Sequence, residues 1–219
     1  MDTRQSQPGR RLGPPTRVLH RYLAFGLLVT VILGGTFAMK HARRHGRPGR
    51  FAEVEPGQLY RSARPDAESL RQVVREYKLN AVLALEADER GHPRRQEEEQ
   101  VLRGEGVQLV RIPIPGEGEK WTLALDKAAQ VLADPASRPL LVYCVSGVEH
   151  TGAVFMAYRL RYGRWSFQQA LAEGDRHGCG IQDRPELVRD LRKYYQEHVL
   201  AVWPAASASA PADSGSDGR

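Results

Sequence analysis

Short apolar segments of strand length alternate with amphipathic helical segments from residue 51 to residue 203, and this alternation constrains the fold more than any other feature. The apolar runs at 81–85 and 140–143 are typical of buried strands, whereas residues 66–78 repeat leucine and valine at helical spacing. A chain in which strands and helices alternate forms layers around a sheet. We therefore predict an α/β fold with a central, largely parallel sheet flanked by helices.

Turn and cap residues set the limits of the predicted elements. A Pro-Gly turn between residues 51–54 and 58–61 predicts a hairpin at the start of the domain. Asp66 and Ser166 each precede a segment with helical spacing, as N-cap residues do. The remaining predicted elements are a strand at 108–112 and helices at 93–103, 121–133, 151–162 and 185–202.

The positive charge of the chain is concentrated at its N-terminus. Residues 1–50 hold ten basic residues and one acid, a net charge of +9, whereas the remaining 22 basic and 25 acidic residues give −3. A nucleic-acid-binding domain carries its basic residues on the folded body, interleaved with aromatic side chains. The sequence therefore predicts no nucleic-acid partner. Its two cysteines are too few for a disulfide framework or a cysteine-rich zinc site.

Residues 22–39 form an apolar segment of eighteen residues without a formal charge, with basic residues on both sides. At about 1.5 Å per residue, a helix of this length spans roughly 27 Å, close to the hydrocarbon core of a bilayer. We therefore predict a single-pass membrane anchor, in preference to a cleaved signal peptide or a buried core helix. Because the flanking positive charges are nearly balanced, the sequence leaves open which side of the membrane the domain faces.

The chain divides into five segments by composition. Glycine and proline punctuate the basic stretch after the apolar segment, and the C-terminal stretch is too poor in apolar residues to fold. The predicted organisation is a basic arm at 1–21, a transmembrane anchor at 22–39, a basic linker at 40–50, one α/β domain at 51–203 and a disordered tail at 204–219.

The stretch LLVYCVSGVEHTG, residues 140–152, carries the most chemical information. A buried strand runs into Cys144, and a short loop then leads to the start of a helix. Such a loop directs backbone N–H groups at one point, which makes an anion cradle and lowers the pKa of a thiol within it. Gly147 lets the backbone curl, and Thr151 is placed to donate its hydroxyl to the sulfur. A free cysteine at a strand end is also often a small buried apolar residue.

These residues resemble the signature of the cysteine-dependent protein-tyrosine and dual-specificity phosphatases, especially the compact bacterial members. That signature is His-Cys, five residues, Arg and Ser or Thr, usually with one glycine third after the cysteine and another after the threonine. The segments EPGQLYRSARP at 55–65 and GAVFMAYRLRYGRWSFQQALAEGDRHG at 152–178 are similar to the entry hairpin and the following helix of bacterial members. The resemblance covers about residues 51–178 and implies the phosphatase α/β fold.

The resemblance also implies a role for each residue of the loop. Cys144 matches the nucleophile that attacks phosphorus, and Thr151 matches the hydroxyl that eases thiolate departure. Either Glu117 or Glu119 stands where the family has the acid that protonates the leaving group, and the alternative is a solvent-exposed acidic loop without a catalytic role. No metal or cofactor is implied. The phosphate-binding residues would be Val145, Ser146, Gly147, Val148, Glu149 and His150.

Two positions depart from the family pattern. Tyr143 replaces the histidine before the cysteine, and His150 replaces the arginine that grips two phosphoryl oxygens. A guanidinium binds phosphate bidentately and is always charged, whereas an imidazole offers one donor toward the ligand. We therefore predict weakened hydrolysis of phosphate monoesters, with a non-catalytic pseudophosphatase that binds an anionic partner as the alternative. Sulfur transfer of the rhodanese kind fits the downstream sequence less well.

The resemblance and the apolar segment together predict the partners and the location of the protein. The partners implied are a phosphorylated protein or a small phosphorylated metabolite, together with a membrane bound through residues 22–39. With the bacterial resemblance, the location implied is the inner membrane of a bacterium. Glu149 is either an alternative proton donor or a charge turned outward. Cys179 is either a surface or core thiol or a partner for a reversible disulfide with Cys144.

Overall fold

A computed structural model describes residues 46–86, 93–115 and 119–203 of the chain. The predicted anchor at 22–39, the tail at 204–219 and Glu117 lie outside the described residues. Within the described part of the chain, no helix is long and apolar enough to cross a membrane.

The core is a five-stranded mixed sheet in the order β1-β2-β5-β3-β4. β1 and β2 form the hairpin predicted from the Pro-Gly turn, and β2, β5, β3 and β4 run parallel to one another. The largely parallel sheet predicted from the alternation is therefore confirmed. The strands are β1 (Ala52–Glu55), β2 (Leu59–Ala63), β3 (Ala81–Ala84), β4 (Gln108–Arg111) and β5 (Leu140–Cys144).

Helices cover both faces of the sheet. One apolar cluster joins α1 and α2 to alternate residues of the strands, such as Val82 and Leu141, and the other joins α3 to α6 to the opposite set, such as Leu83 and Val142. Each fully buried valine or leucine of these clusters contributes roughly 1.5–3 kcal/mol. The helices are α1 (Ala67–Tyr77), α2 (Pro93–Glu105), α3 (Glu119–Ala133), α4 (Glu149–Arg161), α5 (Phe167–Arg176) and α6 (Pro185–Tyr194).

The predicted caps are present, whereas the end of the last helix and the start of the domain differ from the prediction by several residues. The Asp66 carboxylate accepts from the Ser69 N–H at 2.8 Å, and the Ser166 hydroxyl accepts from the Gln169 N–H at 3.2 Å. The last helix, predicted as one element to residue 202, ends at Tyr194 and continues as a π-helical turn over Tyr195–Leu200. At the other end, Arg47 of the predicted linker already contacts the domain, because its guanidinium donates to Glu76 at 2.6 Å.

Candidate active site

Cys144 is the last residue of the central strand β5 and lies beside Ala63, the last residue of the parallel strand β2. The chain then bends through residues 145–148 and enters α4 at Glu149. Ligands of parallel sheets collect at this carboxyl edge, where loops and helix N-termini converge. Cys144 is 3% exposed, and so the loop surrounds its thiol rather than presenting it on an open surface.

Three carbonyl groups of the loop are held by groups outside it. Val145 O accepts from the Arg64 N–H at 3.3 Å, Gly147 O from Arg61 Nη2 at 2.8 Å and Val148 O from the Gly152 N–H at 2.8 Å. Because these carbonyls accept hydrogen bonds from outside the loop, the loop N–H groups remain available to bind an anion. Among the described residues, no hydrogen-bond acceptor is found for the N–H groups of Val145, Ser146, Gly147, Glu149 and His150.

Gly147 makes the tight curl of this loop possible. Its φ is +68°, a backbone conformation that residues with a Cβ rarely adopt. A Cβ at this position would lie 2.5 Å from the N of Ala63 and 2.6 Å from the carbonyl C of Ser62. The loop therefore packs directly on the backbone of β2, and only glycine allows that approach.

Replacing Gly147 by alanine is expected to destabilise the domain by about 3 kcal/mol, since strain at positive φ and a clash with rigid backbone add together. Gly57→Ala is the matched control, because Gly57 has the same φ of +68° and nothing within 4 Å of the added Cβ. We expect the control to cost only about 1 kcal/mol, measured as the free energy of unfolding in urea. Equal costs for the two variants would contradict the packing argument.

The other predicted site residues take different positions around the loop. Thr151 is fully buried, and its hydroxyl has no hydrogen-bond partner among the described residues, so it is available to a thiolate or a ligand. His150 is half-buried at the start of α4. Val145 and Ser146 are exposed at the mouth of the loop, whereas Val148 is buried. Glu149 is exposed and forms an ion pair with Arg184, and so its charge is turned outward.

Tyr143, at the position of the family's histidine, points to the opposite face of the sheet. Its hydroxyl donates to the Glu98 carboxylate, which also pairs with Arg111. Burial and the neighbouring Glu98 carboxylate raise the pKa of Tyr143, which therefore stays neutral. This network links the end of β5 to α2. Because tyrosine replaces histidine here, residue 143 supplies no imidazole to the loop.

Sequence reasoning missed Arg61, which lies beneath the loop. The side chain is 2% exposed, and it bonds to a loop residue 86 positions away in the chain. The period-two alternation of β2 was the available signal, because it places Arg61 on the same face as the fully buried Leu59. A charged residue on the buried face of a strand requires a partner or a function.

Cys179 also contacts the loop from inside the protein. It is fully buried, and its thiol donates to Val148 O at 3.4 Å. A Cβ on Gly152 would lie 2.1 Å from Cys179 Sγ, so the sulfur fills the space that this glycine leaves. Both cysteines are free thiols, and burial raises the pKa of Cys179. Of the alternatives for this residue, the structure therefore shows a core thiol.

The described residues do not place the carboxylate of either candidate acid, so both stay predictions. Glu119 is the first residue of α3, its side chain is not described, and Glu117 lies outside the described residues. Asp126, the next acid in the chain, is excluded because it accepts from the Tyr194 hydroxyl at 3.1 Å and pairs with Arg161. Arg161 ends α4, about 16 Å along the helix from His150. Within the described ranges, no cluster of three or more His, Cys, Asp or Glu side chains is placed to hold a metal ion.

The model of the tyrosine phosphatase family matches residues 47–184, well over half of the chain. The chain belongs to the tyrosine phosphatase family. This confirms the membership of the tyrosine and dual-specificity phosphatase superfamily predicted from the loop.

Curated relatives and solved structures agree with this assignment. The chain is 26% identical over 182 residues to the dual specificity protein phosphatase TpbA of Pseudomonas aeruginosa, covering 80% of this chain and 78% of the relative. It is 28% identical over 130 residues to the inositol diphosphatase SIW14 of Saccharomyces cerevisiae, covering 58% of this chain and 44% of the relative. The chain thus spans less than half the length of the yeast protein.

The structural comparison shows the same fold. The catalytic core of SIW14 in complex with citrate superposes with a TM-score of 0.60 at 24% identity, over 72% of this chain and 93% of that one. The structure of P. aeruginosa TpbA superposes with a TM-score of 0.53 at 24% identity, over 72% and 91%. The predicted phosphatase α/β fold is therefore confirmed.

Proposed function

We propose that this chain hydrolyses phosphate monoesters through a phosphate covalently bound to Cys144. One observation supports this most directly: a loop whose carbonyls are held outward surrounds the buried thiol at the N-terminus of α4. A thiolate there faces the phosphorus of any phosphate bound by the loop amides. The cradle needs no metal, because the amides and the helix N-terminus carry the charge complementarity.

The proposed reaction has two steps. The Cys144 thiolate attacks phosphorus, a sulfur–phosphorus bond forms and the ester oxygen leaves with a proton from Glu117 or Glu119. Water then attacks the phosphocysteine and gives a proton back to the same glutamate, the sulfur–phosphorus bond breaks with its electron pair returning to the Cys144 thiolate, and inorganic phosphate is released. The buried Thr151 hydroxyl, which has no partner among the described residues, is available to stabilise the departing thiolate in the second step. His150 and the loop amides hold the phosphoryl oxygens throughout.

The test is to detect the intermediate as well as the product. The full-length chain is mixed with p-nitrophenyl phosphate, quenched in acid during turnover and digested for mass spectrometry. We expect phosphate release, with the added mass on the peptide that contains Cys144. Turnover without phosphate on Cys144 would contradict the mechanism.

A pseudophosphatase is the second candidate, favoured by the half-buried imidazole at position 150 and by Tyr143, which is committed to Glu98 on the other face. A binder retains the amide cradle and therefore binds orthovanadate or inorganic phosphate without turnover. Titration calorimetry with orthovanadate, run beside the turnover assay, separates the two functions. Binding with no turnover would replace the hydrolase proposal by this one.

The relatives suggest two substrate classes: a phosphorylated protein, as for the dual specificity protein phosphatase TpbA, or an inositol diphosphate, as for the inositol diphosphatase SIW14. With an inositol diphosphate the bond broken would be an anhydride rather than an ester, and the leaving group would be the inner phosphate. Residues 22–39 would tether the domain to a bacterial inner membrane and restrict it to substrates near that membrane. Support for the tether comes from the uncharged eighteen-residue segment with basic flanks. Membrane fractionation of the full-length chain after carbonate extraction tests it, since a tethered chain stays in the pellet.

A further inference from the structure

Arg61 lies beneath the phosphate-binding loop as a buried cation. Its side chain is 2% exposed, its Nη2 donates to Gly147 O at 2.8 Å, and its guanidinium carbon is 5.7 Å from the centre of the Phe155 ring. Arg61 and Cys144 extend from adjacent parallel strands on the same face of the sheet, because Arg61 pairs with Val142 and Cys144 follows two residues later. The guanidinium and the nucleophile are therefore both buried on one face of the sheet.

This guanidinium has no carboxylate partner within ion-pair distance among the described residues. Glu173, whose carboxylate acts on Arg61 electrostatically, is bound to Arg159 through three hydrogen bonds of 2.9–3.1 Å. Burial lowers the pKa of Arg61. Removing a guanidinium from water without an ion-pair partner is unfavourable, and a nearby anion offsets that cost.

The charged and titratable groups around Arg61 come from several elements. Cys144 ends β5, Glu173 lies on α5, and His177 and Cys179 follow α5. Burial lowers the pKa of His177, and the Arg61 charge adds to that effect, so this imidazole is neutral near pH 7. Burial raises the pKa of Cys179, which stays a thiol. Apart from Glu173, which is bound to Arg159, the group near Arg61 that can carry a negative charge is the Cys144 thiolate.

We propose that Arg61 is a positioning residue of this site, which places a fixed positive charge on the same buried face as Cys144 and holds the Gly147 carbonyl away from the bound phosphate. It thus supplies, from β2, the fixed positive charge that the loop lacks with His150 in place of arginine. The hydrogen bond to Gly147 O keeps the loop amides directed at the ligand. This inference rests on the proposed role of Cys144 as the nucleophile.

The test is the pH dependence of Cys144 alkylation by iodoacetamide in the full-length chain, with the modified cysteine identified by mass spectrometry. Arg61→Gln and Arg61→Lys form a matched pair, because both side chains can donate to Gly147 O and only lysine is charged. We expect Arg61→Gln to raise the pH of half-maximal alkylation by at least one unit, which is a tenfold loss of thiolate below the midpoint. Arg61→Lys is expected to stay within half a unit of the wild type.

An unchanged profile in a folded Arg61→Gln chain would overturn the inference. If neither variant folds by circular dichroism, His150→Gln decides instead, because it removes the other candidate cation from a partly exposed position. We then expect the pH of half-maximal alkylation to stay within half a unit of the wild type, because the fixed charge comes from Arg61, whereas a rise of one unit or more would assign that charge to His150 and overturn the inference. Alkylation requires no phosphoester, so a chain that shows the expected difference between variants without turnover supports this inference and contradicts only the proposed hydrolysis.

Discussion

Replacing Cys144 by serine is expected to lower kcat for an aryl phosphate by at least 10⁴-fold. A serine hydroxyl at the end of β5 is not ionised near pH 7, and the loop carboxylate Glu149 is paired with Arg184, so the attack on phosphorus loses its ionised nucleophile. Removing the nucleophile of a covalent mechanism abolishes both steps, and losses of about 10⁶-fold are known for such residues. Steady-state release of p-nitrophenol by the full-length chain measures the effect.

The same variant should keep its affinity for inorganic phosphate, because the loop amides and the Arg61 bond to Gly147 O are unchanged. A dissociation constant within about threefold of the wild type would separate loss of chemistry from loss of structure. Cys179→Ser distinguishes the two thiols, since Cys179 donates to Val148 O and a serine hydroxyl can do the same. We expect this control to retain turnover within tenfold. Comparable losses from both substitutions would refute the assignment of Cys144.

Replacing His150 by arginine is expected to raise kcat by about 10²- to 10³-fold. Arginines that grip a phosphoryl transition state contribute roughly 10³- to 10⁵-fold, and an imidazole in the same place recovers part of that. The half-buried position at the start of α4 leaves room for a longer side chain that reaches the ligand. The measurement is kcat and KM for an aryl phosphate. We expect the gain chiefly in kcat, because the guanidinium binds the phosphoryl transition state more strongly than the substrate.

Two further substitutions identify the source of that gain. His150→Lys adds charge without the planar fork and should give a smaller increase than arginine, whereas His150→Gln should lower kcat below the wild type. A silent wild type with an active His150→Arg variant would make the chain a disabled phosphatase and favour the binding function. A decrease in kcat for His150→Arg would mean that the loop requires an imidazole at position 150, and it would contradict the expected gain.

Most of the secondary structure was predictable because its signals are local. The Asp66 and Ser166 caps, the Pro-Gly hairpin turn and the apolar run of β5 each act within a few residues of where they stand. The last helix was predicted eight residues too long, because amphipathic spacing continues past Tyr194 while the backbone changes to a π-helical turn. Spacing alone does not distinguish these two hydrogen-bond patterns.

The candidate site was predictable in part for the same reason. The residues from Cys144 to Thr151 are contiguous, and a strand that runs into a glycine-containing loop and a helix determines where their amides converge. Their catalytic roles stay predictions, to be decided by the substitutions above. The choice of acid between Glu117 and Glu119 also stays open, since a carboxylate on a separate segment depends on how that segment approaches the loop.

The α/β class, the elements around Cys144 and the replacement of the family's arginine by His150 follow from the amino-acid sequence alone, because each depends on neighbours in the chain. The distant groups that support the loop follow instead from the packing of the folded domain. Arg61 bonds to Gly147 from 86 residues away, Cys179 fills the space beside Gly152, and Tyr143 reaches Glu98 on the opposite face. These contacts follow from the strand order β1-β2-β5-β3-β4, which places β2 and β5 side by side although 76 residues separate them in the chain. Sequence periodicity assigns a residue to a face, but the choice of neighbouring strand is made by packing of the whole domain.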